Sequence, residues 1–184
     1  MKLKILIVSA RYYKGFSKSL ELYAVSTLDV KKIKYKIIPV PGVFEIPVVI
    51  AKNIKKYDGF IALGCVIKGE TPHFDFISHA CLDGLQNIAI ETGIPMICGV
   101  LTTNNIEQAK ERSDSNRMNK GKEFALSAMN MVDALGWLMK SKKDTSPVRS
   151  RDKVLQSLYE IELSGSSAQE ILKDLSLQSR YPHF

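Results

Sequence analysis

Apolar positions along the first 140 residues follow two alternating rhythms. Four short runs are nearly continuous in apolar residues: "LKILIVS" (3–9), "YKIIPV" (35–40), "GFIALGCVI" (59–67) and "PMICGVL" (95–101). Such runs suit strands buried on both faces of a parallel sheet. Between and after them, apolar residues recur at helical spacing over Ser17–Asp29, Phe44–Lys55, Pro72–Thr92, Ile106–Arg112 and about Asn119–Met139. Strand–helix alternation with short connections predicts an α/β domain over 1–141. Its expected form is a flavodoxin-like three-layer sandwich, with a mostly parallel four-stranded sheet and helices on both faces.

The rhythm breaks after that. "SKKDTSPVRS" (141–150) is polar and contains Pro147, which predicts a linker over 142–149. Residues 150–184 carry apolar positions at helical spacing, Val154, Leu158 and Ile161, then Ile171, Leu172 and Leu175. Two short amphipathic helices cannot build a core of their own. They are expected to form a helical tail rather than an independent domain.

Composition narrows the class. The 184 residues are 45% hydrophobic and 24% charged, as in an ordinary soluble globular protein. No apolar run approaches the roughly 18 residues of a membrane span. The opening "MKLKILIVSARYY" has too short an apolar stretch and no small-residue cleavage site for a signal peptide, so it reads as the first strand. Cys65, Cys81 and Cys98 are odd in number and lack CxxC pairing, which fits small core residues in a reducing cytoplasm. The net charge is +7; residues 144–184 hold five Lys/Arg against six Asp/Glu, so the surplus lies in the α/β part. A basic body can attract phosphorylated metabolites, anionic lipid or nucleic acid. Without an Arg-rich block or an interleaved aromatic pattern, nucleic acid is not the expected partner.

Ligands of open α/β sheets bind beyond the carboxyl ends of the strands. That rule selects "SARYY" (9–13), "PVPGVFE" (39–45), "VIKGETPH" (66–73) and "GVLTTNN" (99–105). Thr71-Pro72 has the form of a helix N-cap followed by proline at the first helical position. The unpaired N–H groups of such a helix start favour an anion, and His73 in the first turn can exchange protons near neutral pH. The same residues equally serve a plain capped helix with a surface histidine. Glu70 argues mildly against a purely electrostatic anion trap. Glu45 can act as a helix-dipole partner or as an acceptor for the N–H groups of a heterocycle. Tyr12 and Tyr13 can stack on a ring or cover core edges. His73 and His79, six positions apart on one helix, make a poor zinc pair. Arg112 and Lys120 flank the polar stretch "SDSNRMN" (113–119) and by themselves are surface charges.

The combination is more specific than its members. "RYYKGFSKSL", "VPGVFEIP", "GCVIKGETPHFDF", "GVLTTNNIEQAKER" and "NKGKEFALSAMNMV" stand in the order and spacing of the lumazine synthase family, and the chain resembles it over roughly residues 3–140. The resemblance implies condensation of 5-amino-6-(D-ribitylamino)uracil with 3,4-dihydroxy-2-butanone 4-phosphate, giving 6,7-dimethyl-8-ribityllumazine, phosphate and water. It implies no cofactor and no metal. Carried over position by position, Tyr12 would lie against the pyrimidine. Val43, Phe44 and Glu45, with Cys65, Val66 and Ile67, would hold the ring edges and ribityl chain. Glu70 and Thr71 would offer backbone N–H groups to the phosphate. Arg112 would complete that seat from a neighbouring subunit, Lys120 would lie nearby, and His73 would transfer protons. Cys98 stands where many members contribute an aromatic residue to the adjacent site. Tyr12 replaces a phenylalanine, and Lys68 an arginine.

The expected partners are therefore the two small substrates, further copies of the chain in a homopentamer, and riboflavin synthase. No membrane is expected. The 113–119 connection lacks the glycine–lysine–glycine turn of shell-forming members, which favours single or stacked pentamers over an icosahedral cage. Separately, "RSRDKVLQSLYEIELSG" (149–165) resembles the first helix of the NusB antitermination factor, a family that needs a complete helical bundle.

Overall fold

The computed structural model describes residues 3–141, and side chains through residue 135. The expected linker (142–149) and helical tail (150–184), with its NusB-like stretch, lie outside the described residues. Four strands are present: β1 (Lys4–Ala10), β2 (Lys34–Val40), β3 (Gly59–Ile67) and β4 (Met96–Thr103). Between and after them run α1 (Lys14–Val30), α2 (Ile46–Ala51), α3 (His73–Thr92), α4 (Ile106–Ser113) and α5 (Lys120–Ser141), with a short 3-10 turn at Ile54–Lys56. All strand pairings are parallel, in the order β2-β1-β3-β4. The flavodoxin-like expectation holds.

The layering follows from this order. From β1 the chain steps one way to β2, then crosses back to β3 and on to β4. Right-handed crossovers then put α1 on one face and, because the direction reverses after β2, α2 and α3 on the other. Side chains along a strand alternate between faces. Ile5, Ile7, Ile61, Leu63 and Leu101 therefore pack with Leu20, Ala24 and Leu28 of α1, Ala109 of α4, and Ala125, Ala128 and Met129 of α5. Leu6, Val8, Phe60, Ala62 and Val100 pack on the other face with Ile46 and Ile50 of α2 and Cys81 and Leu85 of α3. Each of the largest of these buries about 1.5–3 kcal/mol of transfer free energy.

Two glycines permit close approaches. A Cβ on Gly121 would run into the Leu20 backbone, so α5 crosses directly on α1 at that point. A Cβ on Gly64 would stand 2.6 Å from Val43 Cγ1 and 3.3 Å from Ala10 Cβ.

Element boundaries differ from expectation in two places that matter. The second helix was expected over Phe44–Lys55 but runs only Ile46–Ala51. Asn53 ends it: its side-chain amide donates to the Val49 carbonyl at 2.8 Å, and its N–H bonds Ile50 rather than Val49. An asparagine that bonds the preceding turn competes with helix continuation. At α3, Thr71 does not cap the helix through its hydroxyl. Pro72 is the N-cap, its carbonyl accepting from the N–H groups of Asp75 (3.1 Å) and Phe76 (3.3 Å). Proline's locked φ, here −68°, places it half within the helix and moves Thr71 outside.

Candidate active site

The strand order places a topological switch between β1 and β3, and a cavity of about 480 Å³ opens there beyond the strand ends. The β1–α1 connection supplies Tyr12 and Tyr13. The β2–α2 turn supplies Pro41 to Glu45. β3 and its exit supply Cys65, Val66, Ile67, Gly69 and Thr71, and α3 supplies His73, Phe74 and Ile77. Residues from three separate segments of the sequence thus meet in one concave wall.

Each segment has a local reason for its shape. β1 pairs with β3 only as far as Ser9 opposite Leu63, whereas β4 continues beside β3 to Ile67. Beyond Leu63, the β1-facing edge of β3 therefore has no strand partner, and its backbone groups border the cavity. In the β2–α2 turn, Glu45 Oε2 accepts the Gly42 N–H at 2.9 Å. This bond closes the turn and leaves Oε1 as the carboxylate's second acceptor. Tyr12 is 79% exposed and meets Tyr13 edge-on at 5.0 Å between ring centroids. A large aromatic ring left this open beside a cavity is a ready stacking surface.

The β3–α3 loop makes the polar end. Lys68 N–H bonds the Thr103 carbonyl at 2.8 Å, anchoring the loop to β4. Among the described residues, no acceptor meets the N–H groups of Gly69, Glu70, Thr71, His73 or Phe74. Several unpaired N–H groups at one helix start form an anion seat. His73 lies exposed at its edge and lines the cavity.

The chemistry of the cysteines is passive. Burial pushes the Cys65 thiol up to about 11, opposed only in part by the neighbouring Thr103 side chain. Cys65 therefore forms a neutral part of the wall, not a nucleophile. Cys81 and Cys98 are likewise raised by burial.

Of the residues expected at the site, Tyr12, Val43, Phe44, Glu45, Cys65, Val66, Ile67, Thr71 and His73 line the one cavity. Glu70 sits in the same loop with its carboxylate exposed. Three others lie elsewhere in the subunit. Arg112 is on α4, donating to the Gln108 carbonyl at 3.1 Å. Lys120 opens α5, paired with Glu123. Cys98 lines a separate depression with Leu82, Asp83, Leu85 and Met96, beside the sheet edge formed by β4. Among the described residues, no lysine or arginine lines the main cavity. Phe74 and Ile77 are lining residues that the sequence reading did not single out; their spacing of three on α3, facing the β2–α2 turn, was the available signal.

Comparison with known proteins identifies the family. A protein-family model described as 6,7-dimethyl-8-ribityllumazine synthase matches residues 2–136. The chain is also 42% identical, over 147 residues, to a protein named 6,7-dimethyl-8-ribityllumazine synthase from Buchnera aphidicola subsp. Baizongia pistaciae (strain Bp); the match covers 77% of this chain and 92% of that relative.

Proposed function

Because the chain belongs to the 6,7-dimethyl-8-ribityllumazine synthase family, it is a transferase of riboflavin biosynthesis, and we propose that its strand-end cavity carries out the condensation. There 5-amino-6-(D-ribitylamino)uracil meets 3,4-dihydroxy-2-butanone 4-phosphate. The observation that supports this most directly is the joining, in one cavity, of an exposed aromatic ring, a half-used carboxylate, an anion seat and a histidine.

Tyr12 stacks on the pyrimidine, and Glu45 Oε1 accepts from a ring N–H. Val43, Phe44 and the unpaired β3 edge at Cys65 to Ile67 hold the ring margins and ribityl chain. The phosphate of the second substrate rests on the N–H groups at Glu70 and Thr71. Its charge needs a cation, which the described residues of this subunit's cavity do not supply. Arg112 of a neighbouring copy fills that role, with Lys120 nearby and Cys98 bordering the adjacent site. The cavity is in this sense completed by oligomerisation, as a pentamer, alone or stacked. Exposed Phe44, Val48, Phe76, Leu82 and Ile90 supply apolar surface for the subunit contacts. Riboflavin synthase, which consumes the product, is the proposed further partner on the family's account. We place the enzyme in the cytoplasm, in keeping with its three free cysteines. No described helix is long and apolar enough to cross a membrane.

The substrate amine attacks the ketone and expels water to give an imine, phosphate leaves by elimination, and the ring closes with loss of a second water. Each step moves protons, and His73, which lines the same cavity as Tyr12, carries them. Positioning supplies most of the acceleration, and the histidine contributes about 10²–10⁴-fold.

Mixing the purified protein with both substrates should generate the lumazine chromophore. Absence of product at high protein concentration would refute the reading. His73→Ala should lower kcat within that range and leave pyrimidine binding nearly intact; an unchanged kcat would remove His73 from its role.

A further inference from the structure

One charged cluster takes no part in the cavity. Glu21 lies on the core-facing stripe of α1, between Ser17, Leu20 and Ala24, and is only 7% exposed. A carboxylate withdrawn from water this far is costly unless it is paired. Two cations pair it. Lys18 Nζ donates to Oε1 at 2.9 Å, and Arg11 Nη2 stands 2.7 Å from Oε2, as an ion pair rather than an aligned hydrogen bond. Lys18 is half in solvent, but Arg11 is drawn inward, and its Nη1 also donates to buried Ser9 Oγ at 2.9 Å.

Arg11 is tied at its other end as well. Its backbone N–H bonds the carbonyls of Val40 at 2.9 Å and Pro41 at 3.2 Å, which begin the β2–α2 turn. The next residue is Tyr12, whose exposed ring has little burial of its own to hold it. Nor does α1 help, since Tyr13 at its N-cap position makes no side-chain capping bond. The orientation of the stacking ring and of the Pro41–Val43 wall thus depends on residue 11, and residue 11 is held by α1 through one carboxylate.

We propose that Glu21 is a positioning residue for pyrimidine binding: by fixing Arg11, it holds Tyr12 and the β2–α2 turn in the geometry that receives the ring. This rests on the reading of Tyr12 as the stacking surface. Without Glu21, the guanidinium loses its counter-charge and swings toward solvent, and two segments of the wall loosen together. The ring must then order them on binding.

The test uses the full chain in its native assembly. Glu21→Gln should raise KM for the pyrimidine and weaken binding of the fluorescent lumazine product, each about 2- to 12-fold, the ordering cost of one or two side chains. The KM for the phosphorylated ketone and the kcat at saturation should stay within about twofold, a split that general destabilisation does not produce. An unchanged pyrimidine KM, or a parallel rise in both KM values, overturns the proposal. The double variant Arg11→Met with Glu21→Leu guards against misfolding, because well-packed apolar residues replace buried ion pairs without loss of stability. It should keep the raised pyrimidine KM; wild-type KM there would show that the pair merely fills space. Tyr12→Ala separates the two levels. If it raises the pyrimidine KM while Glu21→Gln does not, the inference about Glu21 fails. If neither does, the stacking reading itself fails.

Discussion

Gly64→Ala tests whether the cavity wall and the core are one mechanical unit. Gly64 lies on β3 just beyond the last residue paired with β1, under the β2–α2 turn. The added methyl would stand 2.6 Å from Val43 Cγ1, with Ala10 Cβ at 3.3 Å and Val100 Cγ2 at 3.8 Å closing off other directions. An ordinary carbon–carbon contact is about 3.5–4.0 Å, so roughly 1 Å of space is missing. Val43 is 5% exposed and β-branched, so it cannot swing aside as a flexible side chain would. The turn or the strand must move. Overpacking of this kind costs about 1–3 kcal/mol, or about 2–12 °C in Tm for a chain of this size. The same shift carries Val43 and Phe44 into the cavity by a fraction of an ångström. Since a 1 Å misplacement can cost about 10²-fold, kcat/KM should fall about 10- to 100-fold. Thermal melting and steady-state lumazine formation measure both effects. Gly121→Ala, which clashes with the Leu20 backbone away from the cavity lining, provides the comparison. A Gly64→Ala variant with wild-type Tm and kcat/KM would refute the steric argument. Lost stability with unchanged kcat/KM would break the link between wall and catalysis.

Three further outcomes are expected. Burial holds the Cys65 thiol at about 11, so about one thiol in a thousand is ionised at pH 8. Iodoacetamide should label Cys65 far more slowly in the folded protein than in urea, and rapid labelling of the native state would contradict this. Burial alone would raise the Glu21 carboxyl, but the hydrogen bond from Lys18 and the ion pair with Arg11 outweigh it and hold the group below its ordinary value near 4.5. A folded-state value below the unfolded one gives stability that is complete above about 4.5 and is lost as pH falls through the folded value. Denaturation midpoints measured downward from pH 6 should therefore decline less steeply at the acid end in Glu21→Gln than in wild type; identical slopes would show no linkage. Gly93 ends α3 with φ +63° and open space around its Cα. Gly93→Ala should cost about 1–2 kcal/mol through the left-handed backbone alone, visible as a lower Tm with kcat/KM unchanged.

The sequence by itself determined the layers and pointed to the strand ends that border the candidate site. Continuous apolar runs and 3.6-residue periodicity are local properties, so four parallel strands and five helices could be read without knowing which elements touch. The rule that ligands sit beyond strand ends then pointed to four segments, of which three form the cavity and "GVLTTNN" (99–105) does not line it. What only the tertiary structure decided depends on contacts between residues distant in sequence or on competition within a turn. Pro72 displaced Thr71 from the cap because a locked φ was already helical. Asn53 ended α2 by bonding a carbonyl of the preceding turn. Phe74 and Ile77 became lining residues only because α3 packs across the β2–α2 turn. Arg11 and Glu21 lie ten positions apart, and nothing in their spacing pairs them. The pairing arises because β1 ends where α1 folds back over the same face of the sheet, bringing a buried carboxylate against the residue that precedes the stacking ring.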